Sequence, residues 1–151
     1  MTTSRFDEER IIRIVAAVVV NREGRTLLVR KRGTAAFMQP GGKLSFGETA
    51  VAALAREIRE ELACEVGGHC RPLGTFRAPA ANEAGAVVEA QLFEVSLSGD
   101  VSPAAEIEEV LWHDPFGGEG LVLAPLTRDH VLPMLRGERL SRQDAAREQA
   151  S

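Results

Sequence analysis

Gly42–Cys64 reads GKLSFGETAVAALAREIREELAC, and the placing of its charges decides how the rest of the chain is read. At about 100° per residue, Glu57, Glu60 and Glu61 fall within roughly a 100° arc of an α-helix, while Val51, Leu54, Ile58 and Leu62 fill the neighbouring apolar arc. One face packs and the other gathers negative charge. Glu57 and Glu61 are an i,i+4 like-charge pair, which costs a few tenths of a kcal/mol in an ordinary helix. A divalent cation would turn that repulsion into a binding site. The donors are hard oxygens with no His or Cys among them, which suits Mg²⁺ or Mn²⁺ rather than Zn²⁺. The competing interpretation is a solvated charged face in which Arg56 and Glu60 form a plain i,i+4 surface pair.

Working outward, the spacing predicts a helix from about Thr49 to Leu62, with Ser45-x-x-Glu48 ahead of it as a capping box. Upstream, Ile11–Val20 and Thr26–Arg32 are strand-like runs joined by Asn21-Arg22-Glu23-Gly24, which predicts a hairpin with glycine at a positive φ. Arg30, Lys31 and Arg32 lead to a short strand at Phe37–Met38 and then to Pro40-Gly41-Gly42, a turn that delivers the helix. Downstream, strands are predicted around Arg71–Arg77, Val87–Ser96 and Glu109–His113. Leu126–Leu135 reads as a second amphipathic helix interrupted by Pro133, and residues 138–151 as a polar, mobile tail outside a single domain at 1–137. This order of strands and helices implies an α+β fold, an α/β/α sandwich on a mixed sheet.

Gly42, Glu48, Arg56-Glu57, Ile58, Glu60 and Glu61 stand at the spacing G-x5-E-x7-R-E-U-x-E-E-x-G-U, where U is aliphatic, so the chain resembles the Nudix hydrolases. With each required type at about one position in fifteen, a chance match is on the order of 10⁻⁵ or less, which displaces the solvated-face interpretation. Ala63 stands where the motif has its second glycine, and Cys64 follows where an aliphatic residue is usual. Alanine there either accepts a left-handed cap at a cost of about 1 kcal/mol or lets the helix run on. The strained cap is preferred, because Glu65-Val66-Gly67-Gly68 carries little helical pattern.

The resemblance implies hydrolysis of nucleoside diphosphates linked to another group X. It implies metal ligation by Glu57, Glu60, Glu61 and the Gly41 carbonyl, with Arg56 orienting a carboxylate. For the general base it leaves two sources open: Glu57 or Glu60 within the helix, or Glu106, which lies six residues before Trp112 as in MutT-type members, with Glu108 and Glu109 competing. Lys43 and Arg32 are the candidate phosphate contacts. His69, His113 and His130 follow no ligand spacing and read as structural.

Composition agrees with a small enzyme. With 151 residues, 44% hydrophobic and 26% charged, the chain can bury a core without staples. Cys64 and Cys70 make no disulfide framework, which fits a reducing cytoplasm. Ile11–Val20 is too short to span a bilayer and follows the acidic run Asp7-Glu8-Glu9 rather than a basic leader. A net charge of −4 gives no basis for binding a nucleic-acid polymer or an anionic membrane, so the expected partner is a small nucleotide, with a homodimer left open.

For the substrate, the main expectation is a nucleoside triphosphate cleaved to the monophosphate. The alternatives are an ADP-ribose or nucleotide-sugar pyrophosphatase and, in another class, a noncatalytic sensor. No asparagine occurs in Phe116–Gly137, where MutT-type enzymes for oxidised guanine nucleotides carry one, while Pro79 sits near a proline place of ADP-ribose-directed relatives. Phe37, Phe76, Phe93 and Trp112 could stack on a base, yet read first as core.

Overall fold

The computed structural model describes residues 10–117 and 120–150, the side chains of 149 and 150 excepted; the run Asp7-Glu8-Glu9 lies outside them. Strand β1 (Arg10–Val18) is the spine. It pairs in parallel with β6 (Ala86–Ser98) from Arg10↔Ala86 to Val18↔Glu94, and antiparallel with β4 (Gly41–Lys43) on its other edge. Strand β5 (Glu65–Pro79) closes this mixed sheet, in the order β4-β1-β6-β5. A second sheet has the order β3-β2-β7, from Phe37–Met38, Thr26–Lys31 and Ile107–His113.

Side chains alternate across a strand, and β1 uses both faces. Val15, Ala17 and Val19 enter one core with Leu54, Ile58 and Leu62 of helix α1 (Ala50–Leu62). Ala16 and Val18 enter a second core with Leu126, Val131 and Leu135 from the C-terminal helix region. A helix therefore covers each face, which is the expected α/β/α sandwich. No described helix is long and apolar enough to cross a membrane.

Several local expectations need correction. The Asn21–Gly24 turn forms, with Gly24 at φ 78° and the Asn21 side chain accepting from the Glu23 and Arg25 N–H groups, but no two-stranded hairpin follows. Both edges of β1 are taken by β4 and β6, so β2 leaves after the single Val20↔Thr26 bridge and joins the other sheet. Gly41-Gly42 is not a turn delivering α1; it belongs to β4, and residues 44–49 make the approach. The N-cap is Thr49, whose Oγ1 accepts from Ala52 N–H, while Glu48 reaches back to Ser45 N–H. Val51 is 51% exposed and Ala53 takes its expected place in the core, because α1 buries the arc centred between Ala53 and Leu62.

Ala63 closes α1 in the left-handed region, at φ 55° and ψ 34°, so the strained cap is the one adopted. The chain then enters β5, which runs through Gly67-Gly68 and is longer than its apolar pattern suggests. At the other end, the helix begins as expected near Leu126 but widens into a π-helical stretch at Thr127–Val131, where Leu132 N–H bonds Thr127 O. Pro133 explains the widening. It has no N–H to give, and its ring would press on the carbonyl four residues back; one π turn relieves both conflicts. Helix α2 (Leu132–Ala150) then continues across the expected boundary at 137, and Arg139 bonds Gly24 O at 2.8 Å while covering the Phe116 ring.

Candidate active site

The motif's glycines act by letting backbone and carboxylate come close. A Cβ on Gly41, at φ 154°, would overlap the Val15 carbonyl, and one on Gly42 would overlap the Glu57 carboxylate. Strand β4 can thus lie against both β1 and the charged face of α1. Gly41 N–H then donates to Glu61 Oε1 at 3.0 Å. Glu61 is only 2% exposed, and burial pushes its carboxyl up to about 8 despite that hydrogen bond. Desolvation also raises Glu57, partly offset by Arg56. Two carboxylates are therefore held where negative charge is poorly compensated.

Arg56 organises the rest. Its Nε and Nη2 bind both oxygens of Glu48 at 2.7 and 2.9 Å, a fork geometry that lysine cannot offer. Its Nη1 donates to Glu57 at 3.0 Å and more weakly to Glu60 at 3.5 Å, and Nη2 also reaches the Lys43 carbonyl. The Arg56 hydrogen bond, with the Ser45 N–H, holds the Glu48 carboxyl down to about 2. Glu48 is thus an anchor for Arg56 rather than a member of the charged face. Glu60 remains half exposed beyond it.

The loop carrying Glu106 is docked on the end of α1. Ser102 N–H bonds Leu62 O and Ala104 N–H bonds Glu61 O, both at 2.9 Å, satisfying carbonyls that a helix end leaves free. Ala105 then takes a positive φ of 53°, and Glu106 turns toward Lys31, with 3.4 Å between Nζ and Oε1. Glu108 and Glu109 point elsewhere, toward Arg32 and Arg30.

A cavity of about 450 Å³ joins these parts. Its wall combines charged and glycine residues, Gly41, Gly42, Lys43, Glu57, Lys31 and Glu106, with the aliphatic side chains of Ile12, Ile14, Val88 and Leu126, and Ile14 stands directly across from Lys43 in the sheet. Of the two expected phosphate contacts, Lys43 is on the wall; Arg32 is not, being turned to Glu108. Lys31, the neighbouring cation, lines the wall instead. Phe37, Phe76, Phe93 and Trp112 are absent from the wall, as are His69, His113 and His130. Pro79 is on it, together with Gln39 and Thr127, which no local pattern singled out.

Among the described residues, no three His, Cys, Asp or Glu side chains converge as a ready-made metal cluster. The donor set nevertheless fits a hard divalent ion: burial raises Glu57 and Glu61, and the Gly41 N–H, Arg56 and the more distant Lys31 offset it only in part. With Glu60 and the Gly41 carbonyl nearby in the fold, these groups could hold such an ion.

The NUDIX domain family model matches residues 11–116, from the start of β1 to beyond β7. The chain belongs to the NUDIX family. It is accordingly a hydrolase of pyrophosphate bonds, in a family that generally uses divalent cations and small nucleotide substrates. No curated protein matches the chain. Among solved structures it is similar to the MutT protein from Methanosarcina mazei Go1, with 24% identity, a TM-score of 0.68, and coverage of 87% of this chain and 97% of that one. A NUDIX hydrolase from Nitrosomonas europaea shares 26% identity at a TM-score of 0.58, covering 70% and 73%. A UDP-X diphosphatase shares 20% identity at a TM-score of 0.69, covering 87% and 66%.

Proposed function

We propose that this NUDIX hydrolase is a Mg²⁺-dependent pyrophosphohydrolase whose main substrate is a nucleoside triphosphate, cleaved by water to the monophosphate and pyrophosphate. The observation that carries this reading is a cavity of about 450 Å³ whose wall carries carboxylates and two lysines together with aliphatic side chains. Its size is that of a small-ligand site, and its mixed wall suits a nucleotide, with cationic groups for the phosphates and apolar ones for the base.

Glu57, Glu60, Glu61 and the Gly41 carbonyl are the proposed ligands of Mg²⁺, or of Mn²⁺ with the same donor preference. When bound, such an ion neutralises phosphate charge and lowers the pKa of water. Lys31 and Lys43 contact phosphate oxygens. Arg56, anchored by Glu48, holds Glu57 and Glu60 in place. Glu106 accepts the proton of the attacking water, since it is the carboxylate of the 106–109 stretch that lines the cavity. In this reading the substrate is small, with neither a nucleic-acid polymer nor a membrane as partner, the enzyme is cytoplasmic and its catalytic domain is 1–137.

A second reading, an ADP-ribose or nucleotide-sugar pyrophosphatase, is favoured by Pro79 on the cavity wall. A panel of nucleoside triphosphates, ADP-ribose and nucleotide sugars, assayed with Mg²⁺ and with products identified by ³¹P NMR, separates the two. Monophosphate plus pyrophosphate is the expected outcome. Diphosphate plus phosphate, or turnover confined to ADP-ribose or sugars, contradicts the first reading, and absence of turnover on the whole panel contradicts both.

A further inference from the structure

On the cavity wall, Gln39 is 5% exposed and Thr127 is wholly buried. Thr127 Oγ1 donates to Gln39 Oε1 at 2.7 Å, and Gln39 Nε2 has no partner. A buried amide N–H₂ left unmade is costly, and native interiors seldom leave one. Turning the amide over does not remove the problem. Nε2 would then donate to Thr127, but Oε1 would be left over and the hydroxyl proton would lose its acceptor. The hydrogen-bond balance therefore sets oxygen toward Thr127 and the N–H₂ group away from it. Thr127 itself is placed by the π turn over Thr127–Val131, a helix irregularity often met at functional positions.

Both residues line the cavity beside Ile12, Ile14, Val88 and Leu126. The aliphatic part of this wall suits the faces of a flat heterocycle, and an acceptor on the heterocycle's edge would satisfy the orphaned donor. Nε2 has almost no accessible surface of its own, so donation to a ligand requires the amide to rotate about its broad terminal torsion. We propose that Gln39 is a specificity-determining residue which donates from Nε2 to a base carbonyl, so that the enzyme favours nucleotides carrying an oxo group over those carrying an amino group at the same ring position. The inference rests on the nucleotide reading above and names the feature of the base that is read.

The test compares kcat/KM for UTP against CTP and for ITP against ATP, pairs that differ in oxo against amino. The wild type should favour the oxo member by about tenfold or more, mainly through KM, because an amino group facing Nε2 leaves two donors opposed. Gln39→Leu should bring each pair to within about twofold, and Thr127→Val, which frees the amide to turn, should cut the preference at least threefold. Thermal melts establish that both variants are folded. A folded Gln39→Leu or Thr127→Val protein with the wild-type ratio overturns the assignment, as does a wild type without preference. Should the wild type hydrolyse none of the four, the triphosphate reading fails on its own, and the same pairs are compared by calorimetric binding. Tighter binding of UTP than CTP then upholds the role of Gln39; equal affinity or no binding overturns it.

Discussion

Two parts of the cavity wall are assembled by different means. Gly41, Gly42 and Glu57, with Glu61 bonded to Gly41, come from one continuous stretch, and a single guanidinium, Arg56, ties Glu48, Glu57, Glu60 and the Lys43 carbonyl together. Of the rest of the wall, Ile12 and Ile14 come from β1, Gln39 from the residue pair before β4, Val88 from β6 and Thr127 from the π turn. The glycine and glutamate part is a local construction, which Lys31 of β2 and Glu106 of the loop before β7 complete. The second part exists only once the sheet and the C-terminal helix have packed. The carboxylates can therefore stay constant while the residues gathered by packing vary with the ligand.

The sharpest way to break this division is to remove charge from the local part. Glu60→Gln or Glu61→Gln should lower kcat by about 10²-fold or more without unfolding, since each removes a proposed ligand charge while keeping the shape of the side chain. Near-normal turnover of both proteins at limiting Mg²⁺ would sink the metal assignment. Glu106 comes next: Glu106→Gln should reduce kcat by about tenfold or more, and by more than Glu108→Gln or Glu109→Gln. A greater loss at 108 or 109 would show the loop to be misread, and no loss at any of the three would move the base into α1.

Stability against pH probes the same buried charge. With the Glu61 carboxyl raised to about 8 from an ordinary 4.5, the metal-free folded state keeps a proton that the unfolded chain has lost throughout that window. The unfolded chain binds fewer protons there, so stability should fall as pH rises from about 4.5 to about 8, by a few kcal/mol at most. In EDTA, the melting temperature should drop between pH 5 and pH 8, and Glu61→Gln should flatten the drop. A wild-type melting temperature that is level or rising across this range would show that Glu61 is already ionised without metal. The smallest effect belongs to Ala63. At φ 55°, Ala63→Gly should stabilise the fold by a few tenths to about 1 kcal/mol and leave kcat unchanged; a lower melting temperature would contradict the strained cap.

The same contrast explains what could be read from the chain directly. Helix α1, its charged face and the cap at Ala63 were legible because their determinants lie within one or two helical turns of each other. Strands β1 and β2 were legible as strands, but their separation into two sheets was not, since it depends on β6 claiming an edge of β1 from more than seventy residues away. Lys31 and Arg32 are adjacent cations in the chain, and only the packed structure puts Lys31 on the cavity wall and turns Arg32 to Glu108. Gln39 and Thr127 meet across 88 positions, and only packing brings them together. The π turn that presents Thr127 had a visible trace in Pro133, which marks an interruption without specifying how the helix accommodates it.

The central claim is that the buried carboxylates of α1 form a divalent-cation site, and Mn²⁺ binding followed by electron paramagnetic resonance tests it without relying on turnover. The wild type should remove free Mn²⁺ signal in a saturable titration that Mg²⁺ competes away, and the folded Glu57→Gln/Glu61→Gln protein should bind at least tenfold more weakly. Equal Mn²⁺ binding by the two proteins, with matching melts, would contradict the account.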